Sequence, residues 1–383
     1  MFSTDELAAQ LHLIHATPHR MTMNFAGAGA QALMWLHSVG GSSRTVLEAT
    51  DRYTPASLIE AVGFEPKRFT SKRVAKALAA QALARAQALT EGEERGPLFG
   101  LGCTATIATD RTKRGDHRCA VAISDALGTV SYDLTLTKGL RDRAGEEALV
   151  SAIVLQAVAE ACGILHTPEL PLAAQETLTQ QFEPVRALKR LAGGDLEWIL
   201  VHPDGRLGTG DALPGIATLS GSFNPLHDGH RTLARVAAAR LGREVTFELP
   251  LINADKDPID LGEARRRALQ FAGYAPLILS RAPLFSDKAA LFPNSTFVLG
   301  ADTAARLVAP RFYPSEDGMQ AALEALARRG THFLVAGRSS KGEFTTLEDL
   351  RVPKDFRSLF SEISEEDFHM DISSTQLRAE QER

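Results

Sequence analysis

The chain has 383 residues, 44% of them hydrophobic, and 42 Lys and Arg against 47 Asp and Glu give a formal charge of −5. One core seldom grows past roughly 250–300 residues, so two domains are expected. The acidic balance argues against a protein that coats nucleic acid, and the most apolar helical stretch, Ala148 to Val158, is too short to span a membrane.

In chain order, Ser3 and Glu6 form a capping-box pattern ahead of Leu7, Leu11 and Ile14, which predicts an opening helix. Met1 to Gln10 lacks the apolar core of a signal peptide. The run Ala26-Gly27-Ala28-Gly29-Ala30 enters a second helix that breaks at Gly40-Gly41. Such a run either cradles a phosphate or permits close packing, and packing is the favoured reading. Ala75 to Leu89 predicts a helix; Phe99 to Ala108, Arg118 to Ser124 and Gly128 to Leu136 predict strands; Glu146 to Cys162 predicts a long helix stopped by Gly163. Cys103, Cys119 and Cys162 show no metal-ligand spacing and read as reduced thiols of a cytoplasmic protein. His12, His15, His19 and His37 are scattered and read as surface or satisfied core residues. Across the junction, Leu196 to Val201 predicts a strand. His202-Pro203-Asp204-Gly205 then turns it into a hairpin with Arg206 to Gly208.

The remainder alternates strand and helix. Ile216 to Leu219 leads into Ser220-Gly221-Ser222-Phe223-Asn224-Pro225-Leu226-His227-Asp228-Gly229-His230. A helical stripe of Leu233, Val236, Ala237 and Leu241 follows. Glycine lets a backbone approach a ligand, a helix N-terminus attracts anions, and two imidazoles there can donate to phosphate oxygens. Strands are predicted at Glu244 to Leu251, Leu277 to Ser280, Thr296 to Leu299 and His332 to Ala336. Helices are predicted at Leu261 to Phe271 and Asp317 to Arg329. This order implies a doubly wound parallel sheet, whose ligands lie beyond the carboxyl ends of the strands. Near the end, Ile372-Ser373-Ser374-Thr375-Gln376-Leu377-Arg378 is either a plain helix cap with a surface arginine or a second anion site. Beside His227 and His230, the anion site is preferred. Arg265, Arg266 and Arg267 are read as a solvated helix face for at least two of the three.

Both halves resemble known families. From about Phe25 to Gly163 the layout is similar to the C-terminal domain of CinA, the nicotinamide-nucleotide amidase family. The anchors are Val39-Gly40-Gly41-Ser42-Ser43, Tyr53, Gly102-Cys103-Thr104 and Gly128-Thr129-Val130. The family's nucleophilic serine falls on Ala26 and its lysine near Leu58, and its Gly-Ile-Ala-Gly-Pro loop is replaced by Ala105 to Thr109. A methyl group cannot attack an amide carbon, so this half reads as a pseudo-enzyme domain. It is left with a nucleotide pocket, a dimer interface giving a homo-oligomer, or neither.

From about Leu213 to Arg383 the chain resembles the His-x-Gly-His nucleotidyltransferases. Gly221 to Pro225, His227 to His230, Gly300-Ala301-Asp302 and Ile372 to Arg378 fit that superfamily's elements, and Asn253 to Pro258 fits a divergent branch making pyridine dinucleotides. A tryptophan of that branch is missing near Arg311-Phe312-Tyr313. The expected fold is α/β, a Rossmann-like nucleotidyltransferase sheet behind an α/β CinA-like domain. The expected division is 1–166, a connecting segment 167–212, and 213–383. The implied activity transfers AMP from ATP to nicotinamide or nicotinate mononucleotide. The alternatives are a related adenylyl- or cytidylyltransferase with another phosphorylated acceptor, and a non-catalytic nucleotide sensor or scaffold. The resemblance puts His227, His230 and Arg378 on the ATP phosphates with Ser373, Ser374 and Thr375. It puts Gly221, Ser222, Phe223 and Asn224 along the nucleotide, Lys256 on the acceptor phosphate, and Gly300 and Asp302 at the ribose. Mg2+ would accompany ATP, the partners would be small-molecule nucleotides, and no protein-held metal is expected.

Overall fold

Two sheets organise the chain in the computed structural model, which describes residues 3–92, 96–110, 114–252, 257–340 and 343–368. The chain divides into two compact units. One is Met1–Lys189 with 202–206 and 268–274; the other is Arg190–Val201, Leu207–Arg267 and Ala275–Arg383. The protein is α/β throughout.

The first unit runs α1 (Thr4–Ala16), β1 (Arg20–Ala26), α2 (Gln31–His37), α3 (Ser42–Thr45), β2 (Val46–Asp51), α4 (Pro55–Val62), α5 (Lys72–Leu89), β3 (Leu98–Thr106), β4 (His117–Ser124), β5 (Gly128–Leu136), α6 (Arg143–Ala161) and β6 (Thr179–Pro184). Its sheet order is β2-β1-β3-β4-β5-β6, with β1 parallel to both neighbours and the later pairs antiparallel. The Ser3–Glu6 capping box forms as predicted. Strands β1 and β2 escape the sequence patterns, because β1 is buried along almost its whole length and shows no alternation.

Alanine and glycine set the layer spacing. A Cβ on Gly100 would lie 2.2 Å from the Ala79 carbonyl oxygen, and one on Gly102 the same distance from that of Ala75. The alanine stripe of α5 therefore rests directly on β3. Two side chains of β1 then bond carbonyls of α5, Thr22 to Ala82 at 2.6 Å and Asn24 to Leu78 at 3.2 Å. A larger core on another set of residues joins Met21, Met23, Phe99, Leu101 and Val121 to Ile153, Val154 and Val158 of α6. That helix is apolar nearly all round and correspondingly buried. Among the described residues, no helix is long and apolar enough to cross a membrane. All three cysteines are buried and free. Burial pushes the Cys119 and Cys162 thiols up to about 12 and Cys103 well above its usual value, so none is a ready nucleophile.

The chain continues through α7 (Arg186–Gly193), β7 (Trp198–Val201), β8 (Leu207–Gly208), β9 (Ala217–Ser220), α8 (Asp228–Leu241), β10 (Val245–Pro250), α9 (Leu261–Leu269), β11 (Leu277–Ser280), α10 (Phe285–Leu291), β12 (Thr296–Gly300), α11 (Ala301–Leu307), α12 (Glu316–Arg328), β13 (His332–Ala336), the small hairpin β14 (Arg338–Ser340) and β15 (Glu343–Thr345), and β16 (Phe360–Ile363). The second sheet has the order β16-β13-β12-β9-β10-β11-β7-β8. From β16 to β11 every pair is parallel. The predicted hairpin of β7 and β8 extends the β11 edge in antiparallel fashion. Segment 167–212 thus carries β6 of the first sheet and β7 and β8 of the second.

Candidate functional site

Strand β9 is where the order of the second sheet reverses. The chain steps from β9 to β10 and β11 on one side, then crosses to β12, β13 and β16 on the other. A doubly wound sheet opens its ligand crevice beyond the carboxyl ends of the strands at such a switch point. The two segments leaving that point, after β9 and after β12, are those holding the predicted Gly221–His230 and Gly300–Asp302 elements.

Local packing dictates the turn after β9. The Gly221 amide donates to the Glu248 carbonyl at 3.0 Å. Phe223 takes φ 45°, a left-handed value that disfavours a bulky residue. Its ring is fully buried, edge-on to His230 with centroids 5.1 Å apart and to Phe247 at 5.5 Å. A Cβ on Gly221 would fall 2.7 Å from that ring, which is why a glycine stands there. Phe223 is therefore an internal support and touches a ligand, if at all, only through its backbone. Asn224 follows in a cis bond to Pro225. His227 is the extended N-cap of α8.

The two imidazoles lie against each other, with centroids 3.7 Å apart and planes 27° apart. The His227 amide donates to His230 Nδ1 at 3.3 Å. A ring nitrogen that accepts carries no proton, so the His230 proton sits on Nε2, which is the donor. Burial, reinforced by the neighbouring His227, pushes His230 down to about 3; burial also lowers His227, against the pull of Asp228. Both rings are neutral at pH 7. What the pair offers an anion is directed N–H groups beside a helix N-terminus, not two fixed positive charges.

Gly300 is the N-cap of α11, and Asp302 lies in that helix's first turn. A Cβ on Gly300 would meet nothing within 4 Å, so internal packing does not require a glycine there. Lys256, Ser373, Ser374, Thr375 and Arg378 lie outside the described residues.

The arginine triplet needs correction. Only Arg266 is solvated, its side chain 64% exposed. Arg265 is 4% exposed, and the Arg267 side chain 14%. Arg267 bonds Glu263 Oε1 through Nε at 2.6 Å and the Ser222 carbonyl through Nη1 at 3.0 Å. The spacing of Glu263 four residues before Arg267 was the available signal. A second feature beside the crevice was missed. Glu248, fully buried within β10, accepts from Lys288 and Ser280. The trace of it in the sequence is one glutamate inside the apolar run Val245 to Leu251.

In the first unit, the corresponding strand-to-helix loop is closed. Ala26 and Leu58, the positions matched to a nucleophile and a lysine, pack together in an apolar cluster with Val74 and Leu78. A Cβ on Gly27 would lie 2.2 Å from the Ala105 carbonyl oxygen, so close packing accounts for this run. The Gly29 and Gln31 amides both donate to the Glu147 carboxylate, at 2.9 and 3.1 Å. Tyr53 is exposed, and the Thr104 hydroxyl is spent on the Phe69 carbonyl at 3.0 Å. His15 is a satisfied core residue, bonded to Thr45 and to the Leu36 carbonyl.

No family model and no curated protein matches the chain. Among solved structures, it is similar to the competence/damage-inducible protein CihA of Agrobacterium tumefaciens at 16% identity, covering 43% of this chain and 99% of that one with a TM-score of 0.34. It is also similar to CinA-superfamily proteins of Enterobacter cloacae and Escherichia coli. Both are 13% identical, with 42% and 41% of this chain covered, 90% and 91% of theirs, and TM-scores of 0.31 and 0.32. The chain itself is an α/β protein whose second sheet brings a half-buried, stacked pair of histidines to its switch point.

Proposed function

We propose that the protein is a nucleotidyltransferase that joins the AMP moiety of ATP to nicotinamide or nicotinate mononucleotide. The observation that carries this reading is the stacked His227–His230 pair at the N-terminus of α8, just beyond the strand where the sheet order reverses. In the reaction a phosphate oxygen of the acceptor forms a bond to the α-phosphorus. The bond from that phosphorus to the bridging oxygen breaks, and pyrophosphate leaves with the electron pair. No covalent enzyme intermediate is needed; the protein positions the groups and stabilises developing charge. His230 Nε2–H donates to the α-phosphate oxygens and His227 to the neighbouring phosphate. Lys256 takes the acceptor phosphate, Asp302 the ribose hydroxyls, and Ser373, Ser374, Thr375 and Arg378 the β- and γ-phosphates.

Among the described residues, no group of three His, Cys, Asp or Glu could hold a metal ion. A magnesium ion would arrive on the triphosphate, keep most of its water, and neutralise charge there. In the first unit the apolar pairing of Ala26 with Leu58 supports a domain without amidase chemistry. The test is the full chain with ATP, Mg2+ and each mononucleotide, assayed for the dinucleotide and pyrophosphate. Dinucleotide formation is expected. Pyrophosphate release only with CTP or another phosphorylated acceptor would reassign the substrate, and ATP binding without turnover would make the protein a sensor.

A further inference from the structure

The turn after β9 holds a conformation that needs support. Phe223, at φ 45°, sits in the left-handed region that a side chain of its size disfavours. The peptide unit just before it, Ser222–Phe223, is planar, so whatever anchors the Ser222 oxygen also sets the direction of the Phe223 amide. That anchor is Arg267, through Nη1 at 3.0 Å. Arg267 is itself aligned by Glu263, through Nε at 2.6 Å, with its side chain only 14% exposed. A guanidinium presents donors in two fixed directions at once, and a lysine ammonium cannot copy that fork. An arginine serving its own helix needs only Glu263; this one reaches 45 residues back along the chain to a main-chain oxygen of the candidate phosphate turn. Beyond the Ser222–Phe223 peptide lies the Phe223 ring, and against that ring lies His230.

We infer that Arg267 is a positioning residue for a nucleoside triphosphate. It holds the Ser222–Phe223 peptide, and through the Phe223 ring the His230 imidazole, in the geometry that receives the phosphates. The inference rests on the proposed nucleotide site, and its test separates the two. ATP affinity is measured by calorimetry on the full-length wild type, R267K, R267A and H230A, beside urea midpoints for each. R267K is expected to bind ATP about tenfold more weakly, ~1.4 kcal/mol, at an unchanged urea midpoint. R267A is expected to be weaker still and to recover affinity when free guanidinium is added below denaturing concentration, whereas H230A gains nothing from it. Wild-type affinity in R267K while H230A binds poorly would overturn the inference and leave the site standing. So would a loss in R267A that follows its urea midpoint and ignores guanidinium. A wild type that binds no ATP overturns both. If the wild type binds ATP without turning it over, the proposed reaction falls, and the R267K affinity still decides the role of Arg267.

Discussion

Each unit has a strand that runs into a glycine-bearing loop and then a helix, β1 to α2 and β9 to α8, and the two loops end in opposite states. After β1 the amides of Gly29 and Gln31 are taken by the chain's own Glu147, and the residue at the strand end, Ala26, is sealed against Leu58. After β9 the turn is braced from behind by Glu248, Arg267 and Phe247, and the stacked imidazoles stand at the helix start. A glycine run after a strand is therefore not a site in itself. In the first loop the amides are met by the chain's own carboxylate; in the second, a distant arginine holds the loop's carbonyl.

The largest effect that could break this contrast is at His230. His230→Ala should lower the rate of dinucleotide formation at least ~100-fold, the loss expected when a donor to transition-state charge is removed; steady-state kinetics showing full activity would refute the assignment. Gly221→Ala comes next. Its methyl would meet the Phe223 ring at 2.7 Å, so a stability loss of about 1–3 kcal/mol and a matching fall in activity are expected in urea unfolding and rate measurements. An unchanged midpoint would show that the ring can give way. Glu147→Ala tests the closed loop. It strips the acceptor from two amides and should cost about 1–2 kcal/mol in unfolding while leaving dinucleotide formation alone; lost activity at unaltered stability would give the first unit a catalytic part.

The last test is in pH. The His230 pKa falls on folding from its ordinary value near 6.5 to about 3, so the unfolded chain binds its proton first as pH drops. The contribution of that ring is complete above about pH 6.5 and is lost as pH falls towards 3. The urea midpoint should decline across this window less steeply in His230→Gln than in the wild type; parallel slopes would mean that the ring is not held neutral.

Much of the second sheet was legible because its strands are short apolar runs between helices of strong period. The β7–β8 hairpin was legible from Pro203-Asp204-Gly205, and the Gly221–His230 turn from its glycines, proline and histidines. Strand β1 was not, since burial on both faces erases alternation. The partners of Arg267 and Glu248 were not either, because no local pattern specifies a contact 45 or 40 residues distant.

The sequence by itself determined the α/β class, the helix caps, the alternation that forces a doubly wound sheet, and the absence of a nucleophile at Ala26. These depend on residue type and on spacing within a few turns of chain. Only the tertiary structure decided that the first unit's loop is closed by Glu147 and that the second unit's turn is braced by Arg267. It also decided that the two histidines are neutral and that Arg267 is turned inward. Those properties arise from desolvation and from hydrogen bonds between residues far apart in the chain, and both are set by how the layers pack.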